Sequence, residues 1–357
     1  MHVPHVDAEL VRRPTAYSPA SKILDFLWLE LTNRCNLRCV HCYTESHPHS
    51  GDRDVLTAQN YESLMHQAYD LGCRKLQFIG GEPQLNRDFQ KLLVSAKEIG
   101  FEFIEVFSNL TQLSDDTICY AARHGIRFAT SVYSDDAETH DAITRVKSSH
   151  ARPIGNLKKL IDRGIETRAA TIVIDQDQAK VERTKQFLQE LGVRRVRSSE
   201  TREFGRGEQV LGRAARLEGL CGHCWSGKLC IAPDGVAYPC VMARHWPVGN
   251  VVELSLAEIV AGRSLEAMRQ TIFDTVWSPK LSAAKKKPKD KKKDKKKDKG
   301  KDKGKGKGKD KGKGKGKAQD EGTEPCAQSC VPDTVSPGCA QSCEPFPATA
   351  CEPGDED

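Results

Sequence analysis

The sequence predicts an α/β fold: a partial (β/α)6 TIM-type barrel, a small Cys-rich α+β extension C-terminal to it, and a disordered tail. Three observations carry this reading. Between about Asp25 and Ser199, short β-branched or aromatic runs alternate six times with stretches of helical length. Glycines stand where the helical stretches stop. From Lys285 to Lys317 the chain is almost entirely Lys, Asp and Gly, with too little apolar surface to offset the entropy of folding.

Residues 1–24 form an N-terminal arm, and the barrel is expected over 25–199. Its strands are read at Phe26–Thr32, Lys75–Ile79, Phe103–Phe107, Arg127–Val132, Thr167–Ile174 and Val193–Arg197. Near-continuous apolar runs of this kind suit a parallel sheet buried on both faces. The helices between them are read at Ala58–Leu71 (N-capped by Thr57), Arg87–Ile99, Ser114–His124, Ile154–Arg163 and Gln178–Leu191. Gly72, Gly100, Gly125, Gly164 and Gly192 end them, as left-handed C′ residues do. Six units are too few for an eight-fold barrel, so an open one is expected.

Residues 200–216, charged and rich in Gly and Arg, read as a linker. The extension spans 217–284. In it, two short strands flank the turn Pro233-Asp234-Gly235, and a final helix covers Leu256–Arg269.

The net charge of +6 is unevenly placed. The tether, 285–317, holds 20 Lys and 5 Asp; the tail, 318–357, holds nine acids and no Lys or Arg, leaving residues 1–284 formally neutral. A Lys run can hold polyanions with little specificity, but a solvated linker is the simpler reading and nucleic acid is not an expected partner. The N-terminus has no apolar run of signal-peptide length, and no stretch approaches the ~20 apolar residues of a membrane span. A reducing, cytoplasmic setting is therefore expected. There, 14 cysteines serve as metal ligands or free thiols more readily than as disulfides.

Cys35, Cys39 and Cys42 follow directly on the first strand, at the barrel face where active sites form. Three thiolates so close in sequence can wrap one [4Fe–4S] cluster. Four irons normally take four cysteines, so one iron is left open, as in a catalytic metal site. A structural zinc site, completed by His41 or His47, is the competing reading. After the second strand comes Gly80-Gly81-Glu82-Pro83: two glycines permit close backbone approach, and Glu82 can accept from an ammonium.

The C-x3-C-x2-C spacing within LELTNRCNLRCVHCY, followed by GGEP, resembles the radical S-adenosylmethionine (SAM) superfamily. The resemblance spans about residues 25–200. It implies that SAM chelates the open iron through its amino and carboxylate groups. One electron then cleaves SAM to methionine and a 5′-deoxyadenosyl radical, and the cofactors carry the radical chemistry. It also implies that Gly80, Gly81, Glu82 and Pro83 cradle the SAM amino group. Ser108 and Asn109 would meet its ribose or carboxylate, with Ser131 and Tyr133 ending the fourth strand in the same fashion. His41 stands where the family commonly places an aromatic residue near the adenine. Arg145 and Arg168 are candidates to pair with the SAM carboxylate, surface arginine being the plainer reading of each.

A second set, Cys224-x10-Gly235-x4-Cys240, resembles the opening of the SPASM/twitch domains appended to many such enzymes, which carry auxiliary [4Fe–4S] clusters. The full pattern would continue C-x2-C-x5-C-x3-C, whereas here no cysteine follows Cys240 until Cys326. Cys221, Cys224, Cys230 and Cys240 can together hold one auxiliary cluster, with a zinc ribbon or completion by tail cysteines as the alternatives. Cys73 and Cys119 read as core residues. The tail repeats Cys-Ala-Gln-Ser-Cys, at Cys326–Cys330 and Cys339–Cys343, and ends with Cys351. It is open between a second cluster, a metal-loading or redox tail, and an unstructured appendage.

By this resemblance the chain is expected to abstract hydrogen from a ribosomally made peptide, leading to a crosslink, thioether or epimerised residue. The expected partners are a separate leader-binding protein and an electron donor of flavodoxin or ferredoxin type. The alternatives are a twitch-type dehydrogenase or epimerase of a small molecule, and a non-catalytic Fe–S or zinc protein holding nucleic acid through its tether.

Overall fold

The computed structural model describes residues 24–51, 54–174 and 178–285; the expected N-terminal arm, Lys-rich tether and Cys-rich tail lie outside them. Six parallel strands run in chain order: β1 (Leu24–Glu30), β2 (Lys75–Ile79), β3 (Phe103–Phe107), β4 (Arg127–Ser131), β5 (Thr167–Val173) and β6 (Arg195–Glu200). The sheet does not stop at β1. On its other side β7 (Gly227–Ile231) pairs in parallel, and β8 (Val236–Tyr238) and β9 (Gly249–Asn250) follow antiparallel. The order is β6-β5-β4-β3-β2-β1-β7-β8-β9, an open sheet with β6 at one edge and the expected Pro-Asp-Gly hairpin near the other.

Helices α1 (Ala58–Asp70), α2 (Phe89–Ile99), α3 (Asp115–His124), α4 (Ala137–Thr144), α5 (Ala151–Asp162) and α6 (Gln178–Glu190) alternate with the strands. Thr57 caps α1 in a capping box with Asn60, and all five helix-ending glycines have positive φ. Strand alternation sorts the side chains by face. Leu27, Leu29 and Leu31 join Leu229 and Ile231 in the main core, while Trp28, Glu30 and Cys230 point the opposite way.

Three elements differ from the sequence reading. Helix α4 was not anticipated, because eight residues with few apolar positions carry almost no periodic signal. Residues 200–216, read as a linker, bury Thr201, Glu203 and Phe204 and form helix α7 (Arg206–Leu211). The single final helix is broken at Gly262 into α8 (Leu256–Ala261) and α9 (Arg263–Ile272). A π-helical turn over Phe273–Trp277 then leads into α10 (Ser278–Lys285). A second core gathers Phe204, Trp225, Phe273 and Trp277 around Cys224 and Cys240. No helix among the described residues is long and apolar enough to cross a membrane.

Candidate metal centre and cofactor site

The loop after β1 carries Cys35, which is buried, and Cys39 and Cys42, which are half-buried. Its backbone is held from two directions. The N–H groups of Arg38 and Val40 donate to the carbonyls of Thr144 and Ile143, at the end of α4 (3.0 and 2.9 Å). Arg206, at the start of α7, donates from its Nε to Cys39 O (2.8 Å), from its guanidinium to Ser46 O (2.9 Å), and from its backbone N–H to Cys42 O (3.0 Å). The two segments the sequence underrated are therefore the ones that fix the loop.

Each sulfur has a polar side chain beside it. Asn109 Nδ2 donates to Cys35 Sγ (3.7 Å), which also accepts from Leu37 N–H (3.4 Å); Tyr133 O–H donates to Cys39 Sγ (3.8 Å); Thr44 Oγ1 lies 3.2 Å from Cys42 Sγ. Burial raises the Cys35 thiol and pushes Cys39 up to about 12, so metal binding here would release protons. Among the described residues no three His, Cys, Asp or Glu side chains converge on the site of a single ion. Cysteines on a cubane each hold a separate iron and so need not meet at one point. Three thiols, each with a polar side chain beside it, fit a cluster with one open iron.

The Gly80–Pro83 turn is locked onto this loop. Gly81 N–H donates to Thr32 O and Glu82 N–H to Arg34 O, both at 2.8 Å. A Cβ on Gly80 (φ +139°) would lie 2.6 Å from Thr32 O, and one on Gly81 would lie 2.2 Å from Arg34 O. The close approach that calls for glycine here is to the cluster loop's own backbone. Pro83 opens the short 3-10 turn Pro83–Leu85.

Glu82, read from sequence as an ammonium acceptor, is fully buried and already filled. It accepts from Asn109 N–H (2.7 Å), Ser108 Oγ (2.8 Å) and both the backbone and side-chain nitrogens of Gln84 (3.3 Å). Burial raises its pKa against these donors. Asn109 in turn donates to Asn36 Oδ1 (2.8 Å) and accepts from Thr111 Oγ1 (2.6 Å). Glu82 thus ties the ends of β2 and β3 to the loop that bears Cys35.

His41 stands edge-on to Tyr133, ring centroids 4.9 Å apart. Its Nδ1 is buried without a partner, and burial lowers its pKa to about 4. It is therefore a neutral ring with one unsatisfied nitrogen beside the triad. Ser131 is half-buried at the end of β4. The two arginine candidates lie elsewhere. Arg145 is the exposed left-handed cap of α4 (φ 57°). Arg168 holds Glu105 bidentately at 2.8 and 2.7 Å.

In the second set, Cys224, Cys230 and Cys240 are buried and Cys221 is half-buried. Cys224 and Cys240 share a hydrogen bond that raises the first and lowers the second. Cys221 lies within electrostatic reach of Cys224, and Cys230 within reach of Cys240. Lys280 donates to Leu220 O (3.0 Å) and Cys221 O (3.2 Å), pinning this strip to α10. Cys73 lies in the main core as expected, whereas Cys119, also read as a core residue, is half-buried on α3 and outside the core.

Between the two cysteine sets lies an ion pair missed from sequence. Glu30, at the end of β1 and fully buried, meets Arg244 at 2.6 Å and accepts from Tyr43 O–H at 3.0 Å. The guanidinium also lies over the rings of Tyr43 and Tyr238. The one available signal was an acid interrupting the apolar run Leu27–Leu31.

Known proteins resemble the chain in both halves. Residues 29–188 match the family model of the radical SAM superfamily, and residues 214–290 match that of the SPASM iron–sulfur cluster-binding domain. The antilisterial bacteriocin subtilosin biosynthesis protein AlbA of Bacillus subtilis is 27% identical over 186 residues, 51% of this chain and 40% of AlbA. A probable GTP 3′,8-cyclase of Methanothermobacter thermautotrophicus is 30% identical over 148 residues, 42% of this chain and 48% of that protein. The match thus spans about half or less of these relatives' length.

Among solved structures, Streptococcus suis SuiB bound to S-adenosylmethionine superposes with a TM-score of 0.58 at 16% identity, covering 70% of this chain and 68% of SuiB. Native anSMEcpe with AdoMet and the Cp18Cys peptide gives 0.55 at 15%, covering 70% and 83%. These likenesses show the fold, the partial barrel that the sheet order describes. The two family matches make residues 29–188 a radical SAM domain, which implies a [4Fe–4S] cluster and SAM, and residues 214–290 a SPASM domain, which indicates auxiliary iron–sulfur binding.

Proposed function

We propose that Cys35, Cys39 and Cys42 hold the SAM-binding cluster, that Cys221, Cys224, Cys230 and Cys240 hold one auxiliary cluster, and that the substrate is a peptide. When bound, SAM supplies the radical that removes hydrogen from an unactivated carbon. The chain's own residues hold and orient. Gly80–Pro83 and Glu82 fix the ends of β2 and β3 beside the loop. Ser108, Asn109 and Ser131 present polar groups at the strand ends, and His41 offers its unsatisfied nitrogen to the adenine.

The observation that carries this reading is the interlock of GGEP with the triad: the turn bonds directly to the backbone that bears Cys35, and Glu82 reaches the same sulfur through Asn109. A closed structural metal site needs no such coupling. The peptide substrate is supported by relatives whose names concern peptides: AlbA in bacteriocin biosynthesis, and SuiB, solved with the precursor peptide SuiA. A crosslink, thioether or epimerised residue would be the product. A separate leader-binding protein and a flavodoxin- or ferredoxin-type electron donor complete the proposal.

The test is anaerobic reconstitution with iron and sulfide, then dithionite and SAM. We expect 5′-deoxyadenosine from the wild type and none above background from Cys35→Ala. Equal production by the two would refute the assignment.

A further inference from the structure

We propose that residues 318–357 are a peptide substrate carried on the enzyme's own chain, with the tail cysteines as the thiols to be crosslinked. This rests on the peptide-modifying reading above and names its substrate.

The first argument is that these five cysteines are surplus to metal binding. The described extension already holds four, and the SPASM match ends at residue 290, before Cys326. The tail's intervals of three, eight, three and seven residues also lack the two- and five-residue spacings with which a full SPASM pattern continues. Two of its segments are instead the same phrase, Cys-Ala-Gln-Ser-Cys, which sets small residues beside paired thiols. A ligand set needs one geometry, whereas a substrate processed more than once can repeat its unit.

The second argument is reach and charge. Residues 286–317 can span at most ~105 Å at ~3.3 Å each, against a radius of gyration of ~18 Å for a domain of this size. The tail can therefore reach any face of the enzyme. Covalent attachment also sets an effective concentration of order millimolar, so little intrinsic affinity is required. Strand β6 ends the sheet, and residues 194–216, which run from it to the cluster loop, contain seven Arg and three Glu. The tail has nine acids and no Lys or Arg, so that edge attracts it, as does the Lys-rich tether that joins it to the enzyme.

The chemistry balances. Each thioether forms one carbon–sulfur bond and breaks one C–H and one S–H bond. The carbon's hydrogen leaves in 5′-deoxyadenosine, methionine departs, and the thiol proton goes to water. One SAM is thereby the two-electron oxidant for one crosslink.

The tail's composition makes the test direct, since trypsin can cut after Lys317 and nowhere beyond. Full-length protein, reconstituted and reduced with SAM, is digested, alkylated with iodoacetamide and weighed by mass spectrometry. We expect the 318–357 fragment to lose two hydrogens, and one alkylatable thiol, per crosslink, only when SAM is present and not in Cys35→Ala. If 5′-deoxyadenosine forms while the fragment stays unchanged, the tail is not the substrate, though the radical reading survives. Absence of 5′-deoxyadenosine would overturn both. Independently of turnover, replacing all five tail cysteines with Ser should leave iron and sulfide content unchanged. A fall in either would make the tail a cluster ligand and sink the proposal.

Discussion

With a cluster on the proposed triad, Tyr133 would tune a site it does not build. Its hydroxyl donates to Cys39 Sγ at 3.8 Å while its ring supports His41. Hydrogen bonds to cluster sulfurs are among the groups that set reduction potential, and they favour the more negative, reduced state. Tyr133→Phe keeps the ring and removes only the donor. We expect the cluster's midpoint potential to fall by roughly 40 mV, the equivalent of about 1 kcal/mol for one electron. Redox titration followed by electron paramagnetic resonance would measure it, and an unmoved potential would show the contact to be idle. Residues of this kind were only partly legible. The triad and GGEP announce themselves by spacing, whereas Arg206 reaches Cys39 O across a sequence separation of 167, and no local pattern encodes that pairing.

The elements read well where packing is local and poorly where it is not. Strands β2 and β3 match their expected bounds, because a buried strand is a short apolar run between turn residues. Helix α7 hid within a charged segment, since its place is set by Gly205 lying against the carbonyls of Cys42 and Tyr43. The Glu30–Arg244 pair joins β1 to the segment after β8 in the same non-local way. Removing one partner of a buried pair strands the other's charge and costs ~3–5 kcal/mol. Arg244→Met should therefore lower the denaturant midpoint markedly. Adding Glu30→Leu should restore much of the loss, because two apolar groups leave no unpaired charge. If the double variant were as unstable as the sum of the singles, the pair would not be coupled.

At the scale of the whole molecule, the sequence suggested a barrel followed by an extension, and the structure makes them one sheet. Parallel pairing of β7 with β1 needs contacts about 200 residues apart in the chain, which composition and periodicity do not reveal. Barrel and extension should accordingly unfold together. Trp225, Trp246 and Trp277 belong to or pack against the second core and, with the fourth tryptophan, in β1, removed by Trp28→Phe, report on the extension by fluorescence, while far-ultraviolet circular dichroism is dominated by the barrel. Coincident denaturation midpoints are expected; two separated transitions would contradict a shared sheet.

The seam between β1 and β7 also bears on solubility. Without β7, the Leu24–Leu31 segment would offer an open row of backbone donors and acceptors flanked by Leu27, Leu29 and Trp28, an apolar template for pairing with another chain. The extension that brings the second cysteine set is thus also the guard on the barrel's stickiest strand. A chain cut after Glu200 would lose both together, and with them the hold of Arg206 on the cluster loop, and should aggregate.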